Sequence, residues 1–79
     1  MTLAELPIGA VATVTSVRAG SDVIHRLMEM GLVRGTQVRV RKLAPLGDPM
    51  ELELRGYLLS IRRKEAESFS VEPAGVSHP

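Results

Sequence analysis

Cysteine and tryptophan are absent, and Tyr57 and Phe69 are the only aromatic residues among 79. Without cysteine, neither a disulfide framework nor a thiolate metal site can hold so short a chain together. Histidine is scarce as well: His25 and His78 alone, too few for a histidine-based metal centre. No apolar run approaches the roughly 20 residues that a membrane helix requires. The start of the chain also lacks the basic residues and long apolar core of a signal peptide. Catalytic signatures are missing too. No serine stands in a G-x-S-x-G elbow, and no G-x-x-x-x-G-K-S/T loop offers backbone amides to a nucleotide phosphate. These absences lead us to expect a cytoplasmic chain that is not an enzyme, needs no cofactor and does not itself cross a membrane.

What is present is aliphatic. Hydrophobic residues make up 44% of the chain, so the fold must come from packing Val, Leu, Ile and Met. A domain of this size buries only about 60% of the surface its unfolded chain exposes. There is room for one core, and we expect one domain over residues 1–73 and a frayed tail over 74–79. Net charge is +1 but unevenly spread. No acidic residue occurs from Met30 to Gly47, a window that holds Arg34, Arg39, Arg41 and Lys42. Arg62-Arg63-Lys64 is a second basic run.

Along the chain, Thr2-Leu3-Ala4-Glu5 has the spacing of a capping box, cut short by Pro7. Ala10 to Arg18 is rich in Val and Thr and reads as a strand. Its alternation is broken, which calls for a bulge or burial of both faces. Ser21 or Asp22 caps a helix whose apolar stripe is Val23, Ile24, Leu27 and Met30. Its outer side offers Asp22–Arg26 and His25–Glu29 as i,i+4 pairs. Gly31 fits the left-handed stop after that helix, with Leu32 folding back on Leu27. Gly35 permits the positive φ of a type II turn.

Thr36 to Leu43 then alternates as a strand, with Val38 and Val40 inward and Arg39 and Arg41 outward. Ala44 to Pro49 is a loop. Met50, Leu52 and Leu54 mark a half-buried strand that turns at Arg55-Gly56 into Tyr57 to Ile61. One helical turn around Ala66 and a last short strand at Phe69 and Val71 complete the domain. Five short strands and one short helix predict a mainly β chain curled into a small barrel, a form that removes exposed edges.

An ordered series of motifs runs through these elements. It starts with Leu3-x-x-Leu6-Pro7-x-Gly9 and Arg26-Leu27-x-x-Met30-Gly31-Leu32-Val33-x-Gly35-Thr36-x-Val38. It continues with Ala44-Pro45-Leu46-Gly47-Asp48-Pro49 and Arg55-Gly56-Tyr57, and ends with Ile61-Arg62-Arg63-x-Glu65-Ala66 and Val71. The series covers roughly residues 3 to 72 and resembles the FeoA family, small cytoplasmic proteins of bacterial ferrous iron uptake. The resemblance implies an SH3-like barrel, five-stranded, with its short helix between the first and second strands. It also implies an accessory role beside FeoB, the membrane protein that moves ferrous iron and carries a cytoplasmic GTPase domain. Recruitment to the inner face of the membrane, through that partner, would follow. Arg34 departs from the proline common in the family at that turn position, and arginine is compatible with the same geometry.

Protein–protein contact is then the expected mode of action, by a monomer or a weak homo-oligomer. The candidate contact residues are His25, Arg26, Glu29 and Met28 on the helix, with Leu46 and Asp48 in the loop. Arg39 and Arg41 form a possible electrostatic rim. Met28 falls off the apolar stripe, where an adaptable thioether suits a contact surface, while Met30 and Met50 are assigned to the core. A competing reading is a KOW-like RNA-binding barrel whose outward Arg39 and Arg41 contact phosphates. Few aromatics and an even net charge count against it. A detached repressor barrel of the DtxR type is a third reading, disfavoured because it needs a winged helix ahead of the barrel.

Overall fold

The protein, described over residues 1–74 in a computed structural model, places all five strands in one antiparallel sheet. The elements are β1 (Val11–Val17), α1 (Asp22–Glu29), β2 (Gln37–Leu43), β3 (Met50–Leu54), β4 (Tyr57–Ile61), α2 (Arg63–Ala66) and β5 (Phe69–Pro73). Short 3-10 turns occupy Leu3–Glu5 and Pro45–Gly47. Strand order is β4-β3-β2-β1-β5. The expected tail lies outside the described residues from position 75, and His78 with it. Ala74 itself is tied down, its N–H donating to the Val11 carbonyl at 2.8 Å.

Alternation decides which side of each strand faces inward. Val38 and Val40 of β2, and Met50, Leu52 and Leu54 of β3, are buried while their neighbours face out. The broken pattern of β1 comes from a register shift between Val14 and Ser16 where it meets β5. One extra residue re-phases the strand, so that Ala12 and Val14 are buried and Val17 still packs against the core. Phe69, Leu3, Leu32 and Ile61 complete the fully buried centre.

The sheet curls but its hydrogen bonding does not close. β4 and β5 do not pair. Instead α2 crosses from one to the other against the Leu3–Glu5 turn, with Ala66 and Leu3 fully buried in the gap. The expectation that the barrel leaves no exposed edge is therefore corrected: β4 keeps one.

The helix-to-strand corner forms as its sequence requires. Ser21 Oγ accepts the Ile24 N–H at 3.1 Å, capping α1. At the other end Leu32 N–H donates to the Leu27 carbonyl (3.1 Å) and Gly31 N–H to that of Met28 (3.0 Å), the two bonds of a Schellman ending. Gly31 has φ +111°, and a Cβ there would lie 3.0 Å from Arg55 Cδ and 3.2 Å from Tyr57 Oη. Thr36 Oγ1, on a buried residue, donates to the Gly31 carbonyl at 2.8 Å and accepts from Arg55 Nη2 at 3.3 Å. The corner is thus locked onto the β3–β4 turn.

Two expectations for α1 fail. Met30 is 42% exposed and Val23 45% exposed, whereas Met28 packs on the core. The buried face is Ile24, Leu27 and Met28, spaced i, i+3 and i+4. Met30 is the C-cap, just past the last helical residue. Asp22 and Arg26 make no salt bridge, whereas His25 Nδ1 approaches Glu29 Oε2 to 3.5 Å.

Candidate partner-binding surface

The loop from Ala44 to Pro49 is built to hold one side chain away from the protein. Its stem closes where Ala44 N–H donates to the Pro49 carbonyl (3.0 Å), and Gly47 N–H to that of Ala44 (2.7 Å). Arg63, at the start of α2, supplies the remaining restraints. Its backbone N–H donates to Asp48 Oδ1 at 3.0 Å and its Nε to the Gly47 carbonyl at 3.3 Å. A further guanidinium N–H donates to the Ala4 carbonyl, so one arginine ties the loop to α2 and to the N-terminal turn.

At the apex stands Leu46, with φ +69° and ψ 8°, its side chain 102% exposed. A left-handed backbone costs an L-residue roughly 1–2 kcal/mol, and full exposure recovers none of the roughly 1.5–3 kcal/mol a buried leucine contributes. Among the described residues no side chain packs on Leu46 to offset that cost. Among the described residues the other non-glycine with positive φ is Arg55, and there the two-residue hairpin turn demands it. An observed backbone outlier with no packing return points toward function.

The remaining candidates do not gather around Leu46. His25 Nδ1 lies 3.5 Å from Glu29 Oε2, with side chains 70% and 66% exposed, a solvated pair worth a few tenths of a kcal/mol. Arg26 is exposed beside them. Met28 turns inward, so the expectation of a surface thioether is corrected. The end of α1 abuts Arg55 and Tyr57 at one end of β3, while the Leu46 loop leads into Met50 at the other. Leu46 and Asp48 therefore form one surface and the α1 face another.

Arg39 and Arg41 lie on the outer face of β2, where β3 answers their charge. Arg41 Nη1 is 3.3 Å from Glu53 Oε1, Arg39 is in register with Glu53, and Lys42 with Glu51. A shallow depression of about 190 Å³ nearby is lined by Gln37, Arg39, Glu53 and Arg55, mixing both signs. Phe69 is wholly buried, which leaves the half-exposed Tyr57 as the one ring for a base to stack on. The RNA reading therefore loses its continuous cationic stripe and its stacking platform. Among the described residues no cluster of three His, Asp or Glu side chains could hold a metal ion. In the sequence Arg63 belongs to a basic run and to the closing motif of the series, with no sign of its contact to the loop. Its partner Asp48 is 15 positions away, a separation that leaves no local signal.

Residues 1–73 match the FeoA domain family. The chain belongs to that family. A curated relative is the Fe(2+) transport protein A/Fe(2+) transporter FeoB fusion protein of Porphyromonas gingivalis, 36% identical over 72 residues. The aligned region is 91% of this chain and 8% of that protein, so the chain spans a small part of its relative's length. Among solved structures, the FeoA protein of Chlorobium tepidum superposes with a TM-score of 0.88 at 47% identity. That match covers 99% of this chain and 74% of the other. Stenotrophomonas maltophilia FeoA complexed with zinc, described as a prokaryotic SH3 domain protein, gives 0.79 at 36% identity, covering 91% and 89%. The fold is thus the mainly β, SH3-like FeoA fold, in a family linked to ferrous iron transport.

Proposed function

We propose that this FeoA-family chain is a non-enzymatic accessory of ferrous iron uptake, and that it acts by docking on a FeoB-like membrane transporter near its cytoplasmic GTPase domain. The observation that carries the proposal is Leu46, an apolar side chain held fully in solvent on a left-handed backbone by Arg63. Such a leucine suits an apolar pocket on a partner, where its burial would contribute about 1.5–3 kcal/mol. The P. gingivalis relative joins a protein A region and FeoB in one polypeptide, and a covalent link of that kind supports association between the separate chains. Asp48 has a supporting role, fixing the loop from below. The α1 face and the Arg39–Arg41 strand stand apart from this docking surface. No helix among the described residues is long and apolar enough to cross a membrane, so recruitment to the membrane would depend on the partner.

The test is co-purification of the transporter, full-length and as its isolated GTPase domain, with and without GTP. Leu46→Asp should abolish capture while circular dichroism stays native. Capture undiminished by Leu46→Asp would move the contact elsewhere.

A further inference from the structure

We propose that the free edge of β4 is a docking strand for an extended segment of another protein, one with an apolar centre and acidic residues at both ends. This inference stands independently of the Leu46 reading.

The two outer strands of the sheet are treated differently. β5 is covered along part of its length, where Val71 N–H donates to the Met1 carbonyl at 2.9 Å and Thr2 bridges Ser70. β4 has β3 on one side and no strand on the other. Its pairing with β3 is unbroken: Leu54 faces Tyr57, Leu52 faces Leu59, and Met50 faces Ile61. In a two-residue hairpin those are the pairs that exchange hydrogen bonds, so the backbone groups of Leu58 and Ser60 point away from β3. No turn, cap or loop hydrogen bond of the described residues uses them.

Folded proteins ordinarily blunt such an edge with charge, proline or a bulge. Tyr57-Leu58-Leu59-Ser60-Ile61 has none of these. Leu58 is 57% exposed and Tyr57 38% exposed. An incoming strand would gain main-chain hydrogen bonds to Leu58 and Ser60 and an apolar neighbour in Leu58, the physics of β-strand addition.

Charge selects the occupant. A second copy, paired antiparallel about Leu59, would bring the exposed Arg55 that precedes the strand in one chain toward the exposed Arg62 and Lys64 that follow it in the other, at both ends of the contact. Like charges brought together at both ends disfavour that pairing. The same cations, Arg55 before the strand and Arg62 and Lys64 beyond it, are exposed and favour carboxylates at the ends of the arriving segment.

The experiment is an amide-resolved NMR titration of the full chain with a short synthetic peptide of alternating valine and threonine, flanked by glutamates. Its lysine-flanked counterpart is the control. The expected result is chemical-shift change and slowed hydrogen exchange at Leu58 and Ser60 at millimolar peptide. The lysine-flanked peptide should bind about five-fold more weakly, given the modest strength of exposed ion pairs. Ser60→Pro deletes an outward N–H while leaving the β3 ladder intact, and should erase the response with the rest of the spectrum native. Should that variant not fold, Leu58→Lys places a charge on the edge to the same end. No response at β4 up to the solubility limit would overturn the proposal, as would equal binding of the two peptides. Shifts at Leu58 and Ser60 that depend on the protein's own concentration would assign the edge to a second copy, and also overturn it.

Discussion

Of the corners that pass through the left-handed region of backbone space, two do so with opposite residues. At the end of α1 the residue is Gly31, packed so closely that a Cβ would meet Arg55 and Tyr57. At the end of β2 it is Leu46, which has a Cβ and three further carbons and extends them all into water. The first corner uses the residue that adopts the conformation at least cost, and its N–H, its carbonyl and the neighbouring Thr36 hydroxyl are all hydrogen-bonded. The second keeps a strained residue and buries nothing. Glycine at position 31 is explained by the fold alone. Leucine at position 46 is not, and the contrast separates a structural corner from one shaped for contact.

The contrast can be broken at either end. The largest effect is expected for Gly31→Val, which combines left-handed strain with a close approach to Arg55. A loss of about 2 kcal/mol or more is predicted, to be read from the denaturant midpoint. An unchanged midpoint would mean that the corner is not locked as described. Next is Arg63→Ala, which removes the donors to Gly47 and Ala4 and leaves those carbonyls part-buried. About 1–2 kcal/mol should be lost, with weaker transporter capture because Leu46 is no longer held. Arg63→Lys should restore stability better than it restores capture, since one ammonium cannot reproduce the fork.

The smallest effect is expected for His25→Ala and Glu29→Ala, each below about 0.5 kcal/mol. Neither should alter capture, because α1 lies at the far end of β3 from the loop. A loss of capture in either variant would transfer the contact to the helix face.

Much of the fold was legible from alternation and turn chemistry. Val38 and Val40, the run Met50-Glu51-Leu52-Glu53-Leu54 and the glycine corner all stand where their patterns required, and the irregular first strand does contain a bulge. Met30 was misplaced because its helical spacing from Leu27 continues one residue beyond the helix, while the inward side is set by Met28. The open edge of β4 was invisible, since closure depends on whether α2 and Leu3 fill the gap between the outer strands. Of the candidate surface, Leu46 and Asp48 could be named from the loop. Their geometry could not, because Arg63 imposes it from another element.

Leu46→Gly tests the central claim most directly, measured side by side for transporter affinity and for unfolding free energy. Relief of left-handed strain and the greater entropy of the unfolded glycine chain oppose one another, each about 1 kcal/mol, so stability should change little. Affinity should fall at least about ten-fold, the equivalent of 1.4 kcal/mol, because the apolar side chain is gone. Wild-type affinity in a stably folded Leu46→Gly protein would contradict the account, leaving the strained leucine without a function in docking.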